Sequence, residues 1–117
     1  MALKQELMAS SLPAAAASKL GVDTLTSITP AGSTQGTATA LSSNFVTLAT
    51  ASAGGVIISQ THAMHMIINA SGNTQTIYPP VGSAMNNGTV NAGVTLANSA
   101  RMLIMSAGTQ FFTITSA

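Results

Sequence analysis

The chemistry this chain could perform rests on very few side chains. His62 and His65, in the run His62-Ala63-Met64-His65, are its only two histidines. On a β-strand a pair spaced i, i+3 points to opposite faces, so the two imidazoles could not share a metal. A turn between them would let them converge, but two ligands make a poor site. One histidine from each of three copies around a three-fold axis would make a three-ligand set. The plain expectation is two imidazoles bonded to backbone or exposed. General acid–base work needs a titratable pair held in a cleft, yet no Asp, Glu or Lys follows Asp23. A Ser–His pair would lack a carboxylate to orient it, and no serine sits in a nucleophile-elbow sequence. Arg101 is the one formal charge beyond Asp23. It is either a solvated strand-end residue or an anchor whose guanidinium fork grips a carboxylate or carbonyls on a partner. Gly54-Gly55 precedes a strand with no helix after it, which is not a phosphate loop. The chain is expected to be no enzyme and to hold neither metal nor cofactor.

The composition points toward assembly. Ala, Ser, Thr and Gly make up about half of the 117 residues, and cysteine is absent. Disulfides and thiolate metal sites are thereby excluded. The length suits one domain with a single modest core. Only Lys4, Glu6, Lys19, Asp23 and Arg101 are charged, 4% of the chain, against roughly a quarter in an ordinary soluble domain. Charge keeps monomers apart, so much of this surface is expected to be covered in the working state. A net charge of +1 gives no basis for nucleic-acid steering or attraction to a membrane. No apolar run reaches the roughly 18–20 residues that span a bilayer. Lys4 and Glu6 are followed by no continuous apolar stretch, unlike a secretory signal. The sequons at Asn69 and Asn87 are accordingly read as chance.

Two zones separate along the chain: an arm over residues 1–30 and a β body over 31–117. In the arm, Leu3, Leu7 and Met8 have helical spacing and Pro13 ends that run. Ala14 to Ala17 suit a second short helix, with Gly21 as its C-cap. Neither helix is long enough to be stable alone. The apolar stripe of Leu3, Leu7, Met8, Leu12 and Leu20 predicts an arm that orders by docking on a neighbour. The body reads as strands near 34–41, 44–50, 55–60, 64–69, 75–79, 93–97, 101–106 and 110–115, separated by turn residues. Asn69 to Thr74 is expected to join two strands as a hairpin loop, as is Ala107-Gly108-Thr109. Asn86-Asn87-Gly88 is a tight-turn signal, and the prolines of Tyr78-Pro79-Pro80 must end their strand. With no helical pattern in the body to serve as a crossover, the expected fold is all-β. It is a small antiparallel sandwich, jelly roll or barrel with a short, partly helical N-terminal arm.

The telling feature is where alternation fails. A sheet with one wet face should alternate apolar and polar residues. Met102-Leu103-Ile104-Met105, Met66-Ile67-Ile68 and Val56-Ile57-Ile58 do not, and Phe111 and Phe112 are adjacent. A two-layer body has one interior, so the second faces must meet the arm, another subunit or a larger partner. The alternative is that loops cover these central strands. The methionines suit adaptable interface or core filler. Met105, Phe111 and Phe112 are the candidates for a subunit interface, Leu3, Leu7 and Met8 for arm contacts, and Arg101 for a partner anchor.

Certain stretches also resemble a known family. Residues Ile28-Thr29-Pro30-Ala31-Gly32-Ser33-Thr34-Gln35-Gly36-Thr37-Ala38-Thr39-Ala40-Leu41 look like the entry of a group of small tailed-phage virion proteins. Ile77-Tyr78-Pro79-Pro80-Val81-Gly82-Ser83-Ala84-Met85-Asn86, Val94-Thr95-Leu96-Ala97 and Gly108-Thr109-Gln110-Phe111-Phe112 follow in a similar order. The resemblance spans roughly residues 25–115 and rests on turn chemistry and aromatic anchors; the arm takes no part in it. What it implies is a capsid decoration (cement) protein. Such a protein is made in the host cytoplasm and sits on the outer surface of the virion. It binds the major capsid protein as a homotrimer, without nucleic acid, membrane or cofactor. The competing expectation is a phage fibre or receptor- and glycan-binding module, for which Tyr78 is the only tyrosine that could stack on a sugar.

Overall fold

The computed structural model of the chain describes residues 25–60 and 62–116. Leu3, Leu7, Met8 and the expected helical arm lie outside these residues. The described part is all-β, with ten strands in two sheets and no helix.

The chain changes sheet after each of its first eight strands. β1 (Thr26–Ile28), β3 (Phe45–Leu48), β5 (Met64–Asn69) and β7 (Ala84–Met85) fall in a six-stranded sheet. β2 (Thr39–Ala40), β4 (Gly55–Ile57), β6 (Gln75–Tyr78) and β8 (Val94–Leu96) form a four-stranded one. β9 (Arg101–Ala107) and β10 (Gln110–Thr115) complete the larger sheet, whose order is β1-β3-β5-β9-β10-β7. Each early strand pairs in parallel with the next strand of its own sheet: Val46 lies beside Thr26 and Ile67 beside Val46, while Ile77 lies beside Val56. The chain thus coils between two layers. It then reverses, and β8, β9 and β10 pair antiparallel with β6, β5 and β9.

This corrects the antiparallel sandwich expected from the sequence, because both sheets are mixed. A parallel pair needs a long connection but not a helical one. Here the opposite sheet supplies the return path. The loop from Asn69 to Thr74 is likewise no hairpin; it is an arch that carries the chain from β5 in one sheet to β6 in the other. Residues 34–38 form a turn, not a strand, with Thr37 and Ala38 N–H both donating to the Thr34 carbonyl. Thr26–Ile28, placed with the arm in the sequence reading, pairs as the edge strand β1. Other expectations hold. Gly108, at φ 75°, turns β9 into β10, β6 ends at Tyr78 before the two prolines, and Asn86 and Asn87 take φ of 53° and 61° in a tight turn closed by Gly88 N–H on the Met85 carbonyl.

The core lies between the sheets. Val46, Leu48, Ile67, Met102, Ile104 and Phe111 fill it from the larger sheet, facing Val56, Ile77 and Leu96 from the smaller. A polar cluster is sealed in at the β5–β6 arch. Asn69 Nδ2 donates to the Asn73 and Leu96 carbonyls at 2.9 and 2.8 Å, and its Oδ1 accepts from the Ser71 amide and hydroxyl at 3.0 and 2.7 Å. Gln75 accepts from Gly54 N–H and donates to the Ser52 carbonyl and the Ser71 hydroxyl. Satisfying every buried polar atom in this way is what makes such a cluster tolerable.

On the outer face of the smaller sheet the Tyr78 ring is laid across two glycines. A Cβ at Gly55 would sit 2.7 Å from Tyr78 Cε2, and one at Gly93 would meet Thr76 Cγ2 at 2.6 Å, Tyr78 Cδ1 at 2.9 Å and the Ile77 carbonyl at 3.0 Å. Gly93→Ala is therefore expected to destabilise the fold by about 1–3 kcal/mol through overpacking. Gly36→Ala, whose Cβ would meet nothing within 4 Å, serves as control. Thermal unfolding of the two variants checks this; equal melting temperatures would show that the sheet yields at no cost.

Candidate interaction surface

Of the strands that fail to alternate, β4 lies in the four-stranded sheet; β5, β9 and β10 lie in the six-stranded one, where register places their second faces side by side. On β5, His65, Ile67 and Asn69 point inward and are buried, so Met64, Met66 and Ile68 point outward and are half-buried. On β9, Met102 and Ile104 point inward, leaving Leu103 and Met105 outward. On β10, Phe111 is fully buried while Phe112 is 41% exposed and Ile114 71% exposed.

Cross-strand pairing assembles these residues into rows. Phe45, Met66, Leu103 and Ile114 form one row across four strands, and Met64, Met105 and Phe112 form the next. The third row, Thr47, Ile68 and Arg101, ends on the guanidinium-bearing residue. A recess of about 290 Å³ is sunk into this face, walled by Asn44, Phe45, Met64, His65, Met66 and Leu103. The result is an apolar sheet face with one charge at its margin. Adjacent aromatic, Leu, Ile and Met side chains of this kind mark a surface that gains by being covered.

Among the residues nominated from sequence, Met105, Phe112 and Arg101 are on this face. Phe111 is not. It is a core residue of its own chain, packed beside Met85 of β7 and Ser106 of β9, and is thereby withdrawn as an interface candidate. The two phenylalanines divide because neighbours on a strand point to opposite sides. The nomination missed Phe45, Met64, Met66, Leu103 and Ile114. Register, which sequence does not display, is what joins them.

The imidazoles are arranged differently from expectation. His62 precedes β5, so the opposite-face rule does not apply, and its ring meets that of His65 edge-on at a centroid distance of 5.7 Å and an interplanar angle of 77°. Both are buried. Neither ring nitrogen of His65 has a hydrogen-bond partner of good geometry, and the polar group that bears on the ring is the backbone of Ser59. Desolvation, helped by repulsion from His62 and opposed by a backbone group of Ser59, lowers the His65 pKa from 6.5 to about 4. The ring is neutral at pH 7. Among the described residues no three His, Cys, Asp or Glu side chains gather into a metal site, and no helix is long and apolar enough to cross a membrane.

No family model, curated protein or solved structure matches the chain. What the surface can do therefore follows from its own chemistry. It offers dispersion contact and water exclusion over an area with almost no charge to fix or repel a partner.

Proposed function

We propose that this chain is a structural protein of a phage particle: a capsid decoration protein, without catalytic activity, that packs against copies of itself as a homotrimer and against the major capsid protein on the outer surface of the shell. The observation that carries this reading is the outward apolar face of the six-stranded sheet, built from two uncharged rows across β3, β5, β9 and β10. Its likeness to small virion proteins in the Tyr78-Pro79-Pro80 step and the Gly108-Thr109-Gln110-Phe111-Phe112 ending supports the same assignment. The mechanism is mass action. A protein that binds the assembled shell and not its free subunits stabilises the assembled state. Each large apolar side chain covered contributes roughly 1.5–3 kcal/mol, so a few per subunit suffice.

A glycan-binding role has less support. Its aromatic platform would be Tyr78, whose ring is packed over Gly55 and Gly93 and whose hydroxyl donates to the Ser33 carbonyl at 3.1 Å.

The test uses the particle. The copy number of the chain in purified virions, from band intensities, is expected to approach that of the major shell protein. A chain lacking residues 1–20 is expected to keep the β circular-dichroism spectrum and to lose most of its occupancy on the particle. A copy number of a few per virion would sink the decoration reading, and undiminished occupancy of the truncated chain would remove the arm from it.

A further inference from the structure

We infer that the His62–His65 pair is an acid-sensitive joint beneath the outward face: when His65 takes up a proton, β5 loses its seat and the six-stranded sheet opens at its middle. The inference stands whether or not the face binds a capsid, because it concerns the stability of the chain itself.

The geometry is specific. β5 lies between β3 and β9. His65 is 1% exposed, sits opposite Ile104 of β9, and is flanked along its own strand by Met64 and Met66, two residues of the outward face. A charged ring at this position needs an acceptor or a counter-ion, and the surroundings offer little. Its two nitrogens have no hydrogen-bond partner of good geometry, and the backbone group of Ser59 that favours the charged form is outweighed by burial and by His62. The adjoining strands bring Ile104 and Leu103 from β9 and Phe45 and Val46 from β3, none of them titratable. The titratable group that faces it is a second imidazole, His62, which brings no negative charge and repels it once both are protonated. The other titratable or charged side chains among the described residues are Tyr78, on the other sheet, and Arg101, paired with Ile68 at the far end of β9. No Asp or Glu is among the described residues.

The sign follows from linkage. The unfolded chain binds the proton near 6.5 and the folded chain resists until about 4. The stability His65 lends is therefore whole above pH 6.5 and falls about tenfold in the folding constant per pH unit between those values. From pH 7.5 to 4.5 the loss approaches roughly a hundredfold. Any partner seated on Met64 and Met66 would be released in the same window.

Two measurements on the purified full-length chain test this. Denaturant unfolding at pH 7.5 and 4.5 is expected to show the roughly hundredfold loss in the wild type and most of it gone in His65→Leu, which keeps the site apolar. Proton NMR of the wild-type imidazoles is expected to show His65 still neutral at pH 5, with loss of native dispersion as it titrates. Equal acid losses in the wild type and His65→Leu would overturn the inference. So would a His65 that titrates between pH 6 and 7 with the fold intact, a readout that decides the matter alone if the leucine variant does not fold.

Discussion

Asn69→Ala is expected to lower the melting temperature by on the order of 20 °C. The side chain is fully buried and makes four hydrogen bonds. Alanine removes all four and leaves the Leu96 carbonyl and the Ser71 amide short of partners at the arch where the chain passes between sheets, while the Asn73 carbonyl keeps the Ser71 hydroxyl. Each orphaned buried group costs about 1–3 kcal/mol, so a total of about 3–5 kcal/mol is expected, against a stability of roughly 5–15 kcal/mol for a domain. For a body of this size each kcal/mol moves the midpoint by about 4–8 °C. Asn98→Ala is the matched control, since Asn98 is exposed and its Oδ1 accepts only the Gly72 amide at 2.9 Å. Calorimetry of both variants distinguishes them. A shift for Asn69→Ala as small as that of the control would mean that water replaces the lost bonds and that the arch is not sealed.

The second large effect is on association. The double variant Phe112→Glu, Ile114→Glu is expected to convert an oligomer into a single 11.6 kDa species while leaving the fold of the subunit intact. Both side chains are on the outward face of β10, 41% and 71% exposed, so the folded monomer loses little by the change. An interface loses two apolar anchors at roughly 1.5–3 kcal/mol each and acquires carboxylates with no cation opposite them but Arg101 at the margin. At 1.4 kcal/mol per decade this amounts to weakening by about a thousandfold or more. Multi-angle light scattering with parallel circular dichroism measures both halves. A wild type that already runs at 11.6 kDa over the accessible concentration range would end the self-association part of the proposal, and an unchanged mass for the variant would move the contact off this face.

The residues explain why some of this was legible in the sequence. Met64 to Asn69 and Gln110 to Thr115 read as strands to the residue because dense apolar and β-branched runs sit between clear turn signals. The break in alternation at Met102-Leu103-Ile104-Met105 correctly implied a sheet with apolar side chains on both faces. Topology was not legible. The parallel pairing of β1 with β3 and β3 with β5 repeats about every twenty residues, Thr26 to Val46 to Ile67. The stacked positions carry Thr, Val and Ile, a likeness too loose to announce a coil. Polar core residues misled for a related reason. Asn69 and Ser71 look like loop chemistry, and only the fold shows them sealed inside, holding an arch and not a hairpin. His65 could not be told from a surface imidazole until its burial beside His62 was seen.

The order of strands in the larger sheet has a bearing on how the chain is made. β5 completes its ladder on one side with β3, which precedes it, and on the other with β9, where Ile67 meets Met102. As the polypeptide leaves the ribosome, β5 therefore waits as an unpaired edge while some thirty further residues are added, with Met64, Met66 and Ile68 on one side and nothing beside its backbone. Open, apolar edges recruit other chains. Synthesis is thus the interval in which this protein is most exposed to wrong pairing, and the arrival of β9 is the step that closes it.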